Sequence, residues 1–138
     1  MDSVKQLLYL MPDPHSQSWV KVGKTKLPTF QMRIGNYQQG NGPNYTVTWP
    51  YCWIGDLRVI DKLELEIKKL FDRNRPLRGR GYTEWVEGYS IDTIRPVIQD
   101  IIDGYGYLAS PVDDDLLPIT VDNVDDVQRK SEPTGLIN

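Results

Sequence analysis

The sequence predicts an α+β domain followed by an acidic C-terminal tail. Three observations carry that expectation: two β-like runs joined by a turn, a long amphipathic run at 57–71, and a charge balance that changes sign near residue 110. "QLLYLM" (6–11) reads as a buried strand, and "PDPHSQ" (12–17) as a turn-rich connector. "SWVKVGK" (18–24) alternates large apolar and polar side chains and reads as the second strand of a hairpin. Pro28 suits the first turn of a helix that runs through "TFQMRIGNY" and breaks near Gly35 or the "QQGNGPN" loop. "YTVTWPYCW" (45–53) is β-branched and aromatic, a third strand that Pro50 bends or places at an edge.

Asp56 has the character of an N-cap, and "LRVIDKLELEIKKLF" (57–71) is the longest predicted helix. "RNRPLRGRGY" (73–82) is a basic loop, "TEWVEGY" (83–89) a short strand, and "IDTIRPVIQDIIDGYG" (91–106) a helix unless it begins at Pro96. From Ser110 the chain is acidic and interrupted by prolines, either a flexible tail or an arm that docks.

The 138 residues suit one domain with a real core. The single cysteine, Cys52, excludes an internal disulfide framework and fits a reducing, cytoplasmic compartment. No apolar run approaches the roughly 20 residues of a membrane span. The N-terminus has too short an apolar block, and too little charge before it, for a secretory signal. The net charge of −3 divides unevenly: residues 111–138 hold seven acids and two bases (−5), and residues 1–110 hold twelve acids and fourteen bases (+2). A mildly basic body is compatible with a polyanionic partner.

Gly23-Lys24-Thr25 has the ending of a phosphate-binding loop, but the first Gly of that motif would stand at position 18, which is Ser18. The residues between are bulky and strand-like, so the alternatives are a plain strand end with solvated lysines or part of another site. The 57–71 helix bears on that choice. At 100° per residue, Leu57, Ile60, Leu63, Ile67, Leu70 and Phe71 share one face, and Glu64 falls inside it. A carboxylate there needs a cation, a metal or a hydrogen-bond network. Arg33 and Tyr37, four apart, lie on one face of the preceding helix, with a guanidinium suited to phosphate beside a proton-transferring phenol.

In order, these pieces resemble the GIY-YIG nuclease superfamily, closest to its phage and bacterial branch with a Lys-Ile-Gly-Lys-Thr second motif. "LLYL" (7–10) keeps the tyrosine of the first motif, Tyr9, without its glycine. "VKVGKT" (20–25) places Lys21, Val22 and Gly23 in the second motif, with lysine at the usual tyrosine. Arg33 and Tyr37 match the helix arginine and the His or Tyr one turn later. Glu64 matches the metal-binding glutamate, Lys68 replaces a His after it, and "EWV" (84–86) matches a closing segment. The late Asn of some members has no match. The likeness covers about residues 6–102.

The resemblance implies a three-stranded antiparallel sheet flanked by helices in residues 1–109, with 110–138 as the acidic tail. It implies a metal-dependent, phage- or mobile-element-associated DNA endonuclease with Tyr9, Lys21, Arg33, Tyr37 and Glu64 on one surface. Glu64 would hold Mg²⁺ or Mn²⁺, Arg33 would stabilise charge on phosphorus, and Tyr9 or Tyr37 would take a proton from water. Gly23 would keep the floor of the site clear. Lys24, Lys68, Lys69, Arg73, Arg75, Arg78 and Arg80 would hold the DNA backbone, and a protein partner would supply specificity. The weakened motifs also allow a nucleic-acid-binding or assembly protein that cuts poorly or not at all.

Overall fold

The computed structural model describes residues 4–13, 16–41, 46–71 and 85–131. Among these residues five strands form one sheet: β1 (Lys5–Asp13), β2 (Ser16–Lys26), β3 (Tyr51–Asp56), β4 (Trp85–Glu87) and β5 (Ala109–Pro111), in the order β4-β2-β1-β3-β5. Neighbouring strands are antiparallel throughout this sheet. The α+β class holds, with five strands in place of the expected three-stranded sheet: β1 and β2 form the expected hairpin, β3 begins at Tyr51 rather than at 45 and runs on to Asp56, β4 lies within the expected 83–89 strand, and β5 is an addition. Among the described residues there are four α-helices: α1 (Phe30–Asn41), α2 (Leu57–Leu70), α3 (Ile91–Tyr105) and α4 (Val124–Ser131).

The pleat of β1 divides the hydrophobic core. Successive side chains of a strand point to opposite faces. Leu7, Tyr9 and Met11 face one way and pack with Phe30 and Ile34 of α1 and Val124 and Val127 of α4. Leu8 and Leu10 face the other way and pack with Ile60, Leu63 and Ile67 of α2 and Ile94, Ile98 and Ile102 of α3. The sheet is therefore covered on both faces, which explains why "LLYLM" is apolar without alternation.

Local chemistry sets the helix bounds. A 3-10 turn, Leu27–Thr29, with Pro28 in its first turn leads into α1. That helix passes through Gly35 to Asn41 rather than breaking at the glycine. α3 starts at a capping box: the Ser90 side chain accepts from the Thr93 N–H, and Thr93 Oγ1 accepts from the Ser90 N–H at 2.8 Å. It ends at Gly106, φ +69°, a left-handed cap suited to glycine. Pro96 lies inside α3, on an exposed position, so the helix does not begin there.

The segment expected as a separate tail is, as far as residue 131, part of the fold. β5 pairs with β3 across the expected boundary at 109/110. Ile119 bridges to Trp49, and Val112, Ile119, Val124 and Val127 are buried. Apolar side chains spaced among the acids carry the docking; the acids themselves are mostly at the surface. Among the described residues, no helix is long and apolar enough to cross a membrane.

Candidate functional site

The expected site residues form two groups with the sheet between them. The hairpin register pairs Tyr9 with Gly23 and Met11 with Lys21, so Tyr9, Lys21 and Gly23 share the α1 face. Lys24 pairs with Leu8 and belongs to the α2 face.

On the α1 face, Tyr9 is 1% exposed and its ring stacks on Trp49, with centroids 4.0 Å apart and planes at 11°. The Tyr9 and Tyr37 hydroxyls are hydrogen-bonded at 2.8 Å, and either can donate. The Lys21 ammonium lies 5.0 Å from the Tyr37 ring centroid and 5.9 Å from that of Trp85. Arg33, one turn before Tyr37 on α1, is exposed. Lys21, Tyr37 and Tyr9 are thus brought together.

Gly23 has a role other than the one expected. A Cβ built there would lie 2.4 Å from Cζ and Oη of Tyr9. The space that glycine leaves is filled by the Tyr9 ring, so Gly23 does not keep a floor open for DNA. Its missing side chain lets the phenol cross the neighbouring strand and reach Tyr37.

On the α2 face, Glu64 is buried at 6% exposure, as its place on the apolar side of α2 predicts. Its Oε1 lies 3.2 Å from Lys24 Nζ and 3.5 Å from Lys68 Nζ. Lys24 also donates to Asp61 Oδ1 at 2.7 Å, and Gln6 Nε2 donates to the same oxygen at 3.0 Å. The hydrogen bonds from Lys24 and Gln6 hold the Asp61 carboxyl below its ordinary pKa. Burial pulls the Lys24 pKa down, but the Asp61 hydrogen bond and the Glu64 charge outweigh it, and the net shift is upward. Lys69 lies 3.7 Å from Glu66. Lys24, Lys68 and Lys69 therefore stand beside carboxylates of α2. Arg73, Arg75, Arg78 and Arg80 lie outside the described residues.

Two observations bear on a metal at Glu64. Its Oε2 is buried without a hydrogen-bond partner, which would welcome one more donor or cation. Its Oε1, however, already faces two ammonium groups, which would repel a divalent ion. Among the described residues, no three His, Cys, Asp or Glu side chains gather as a ligand set. The two ammonium groups beside Oε1 make Glu64 an ion-paired carboxylate in this arrangement.

Trp49 and Asp61 have structural parts at these clusters that the motif order does not single out. A signal for Asp61 was present: acids at 61 and 64 and a base at 68 fall on one helical stripe. Trp49 carries no such signal, since its stacking partner lies 40 residues away in sequence. No protein-family model matches the chain, and no curated protein or solved structure matches it.

Proposed function

We propose that this chain is a nucleic-acid-binding protein on a GIY-YIG-like hairpin-and-helix frame, without hydrolytic turnover at Glu64. The observation that carries the reading is the division of the expected centre. Glu64 sits with Lys24 and Lys68 on the α2 face, while Tyr9, Lys21 and Tyr37 sit on the α1 face. Acid–base catalysis at one phosphate needs its groups within hydrogen-bond reach of the same atoms. The α1 face also holds Lys21 amid aromatic rings, and α1 carries the exposed Arg33, a combination suited to phosphate and base contacts. A protein partner would supply any site specificity.

The test is binding of fluorescein-labelled DNA by anisotropy across a salt series. Affinity is expected to fall as salt rises, and reversal of Arg73, Arg75, Arg78 and Arg80 to Glu is expected to weaken it about tenfold or more. Unchanged affinity in the reversed variant would remove the basic run from the contact surface.

A second reading, metal-dependent DNA endonuclease, is favoured by the Tyr9–Tyr37 hydroxyl pair with Lys21 close above it. Supercoiled plasmid incubated with Mg²⁺ or Mn²⁺ separates the two. Nicking by wild type that disappears in Glu64→Ala and Arg33→Ala would establish this second reading in place of the first.

A further inference from the structure

At the β2–β4 edge of the α1 face, Tyr37 and Trp85 pack against the core while staying partly open, and Trp19 adds a third ring beside them. The register pairs Lys21 with Trp85 and Trp19 with Glu87, so alternate side chains of both strands emerge on this face. Between them Val20 and Val86 point to the opposite face and are buried in the α2–α3 core. Trp19 is half-buried and belongs to neither apolar core. Its ring centroid lies 6.3 Å from that of Trp85, with the planes tilted by 51°. Lys21 stands between Trp85 and Tyr37, at 5.9 and 5.0 Å from the two centroids.

Aromatic rings of this kind meet the π-faces of nucleobases, and only unpaired bases offer those faces. In a duplex each face is covered by the next base pair. Building on the nucleic-acid reading above, we infer that the Trp19–Lys21–Trp85–Tyr37 edge takes unpaired bases, with single-stranded DNA as its ligand. Charge is complementary on one side only. Lys21 and the exposed Arg33 bring positive charge to this face, and Glu87, exposed opposite Trp19, brings negative charge. The phosphates therefore follow the Lys21–Arg33 side, and the bases turn toward the tryptophans.

The experiment compares a labelled single-stranded oligodeoxynucleotide, its duplex, and an RNA of the same sequence, all at one salt concentration. Single-stranded DNA is expected to bind at least about tenfold more tightly than duplex. Trp85→Ala and Trp19→Ala are each expected to weaken single-strand binding about tenfold and leave duplex binding unchanged. Trp85→Phe keeps an aromatic face and is expected to retain most of the affinity. Glu87→Lys is expected to tighten it. Trp49 and Trp53 are 0% and 1% exposed, so fluorescence quenching by the oligonucleotide reports on Trp19 and Trp85.

Duplex bound as tightly as single strand, or alanine variants that bind as wild type does, would overturn the inference while leaving nucleic-acid binding itself standing. RNA bound tenfold more tightly than DNA would overturn the choice of DNA. Absence of binding to all three probes would overturn this inference and the reading on which it rests.

Discussion

Gly23 and Tyr9 define one another across two strands. With Tyr9 Cζ and Oη 2.4 Å from the position of a Gly23 Cβ, Gly23→Ala must displace a ring stacked on Trp49. The expected cost is about 1–3 kcal/mol, read as a lower denaturation midpoint. In a Tyr9→Leu background the same change is expected to cost distinctly less, because the obstructing ring is gone. Equal costs in the two backgrounds would separate Gly23 from Tyr9. The charges of the other face make a second prediction. Asp61 has a depressed folded pKa, so its contribution to stability is full above the ordinary 3.8 and is lost as pH falls through the lower folded value. Lys24 has a raised pKa, so its contribution is full below the ordinary 10.5 and is lost as pH rises through the higher folded value. Thermal melts between about pH 4 and pH 2 are expected to show a smaller acid loss in Asp61→Asn than in wild type. Parallel curves would place the acid sensitivity elsewhere.

The helices show what periodicity reveals and what it leaves hidden. Stepping around 57–71 places Glu64 on the apolar side of α2, and Glu64 is indeed buried there with lysines for partners. The same step does not say which face of the sheet α2 covers. A helix's apolar stripe specifies its own inward side, while the sheet face is set by the crossover and by the register of β1. Tyr9 and Glu64 therefore looked like neighbours, although β1 turns odd-numbered residues toward α1 and even-numbered ones toward α2. At α3, Pro96 leaves two possible starts in the sequence. Ser90 and Thr93 decide it, since their reciprocal bonds satisfy amides that the first turn leaves open. Ser90→Ala is expected to cost about 1 kcal/mol, measured by chemical denaturation, with little change if the cap is unimportant.

The whole molecule extends further along the chain than its charge pattern implies. The acids after residue 110 made that segment read as an appendage, because net charge outweighs a few separated apolar side chains in such a reading. Ile119, Val124 and Val127 instead complete the α1-side core, and β5 closes the sheet beside β3. A chain ended at residue 109 would lose those four contributions together. It is expected to melt without cooperativity, or at a markedly lower temperature, with exposed apolar surface reported by dye binding. A sharp transition at the wild-type temperature would restore the tail as an independent segment.

β1 is the wall that the two cores have in common. Residues 7–11 are all buried, and residues 6–10 are paired with β2 on one side and β3 on the other. Neither core can open without stripping this strand of a neighbour. Its amide protons should then be the last in the molecule to be replaced by deuterium, escaping only when the entire chain comes apart. The slowest amides of β1 would thus measure the free energy of global unfolding, while amides of α4, which leans on one core, and of β4, a three-residue strand at the end of the sheet, would exchange through smaller and more frequent openings.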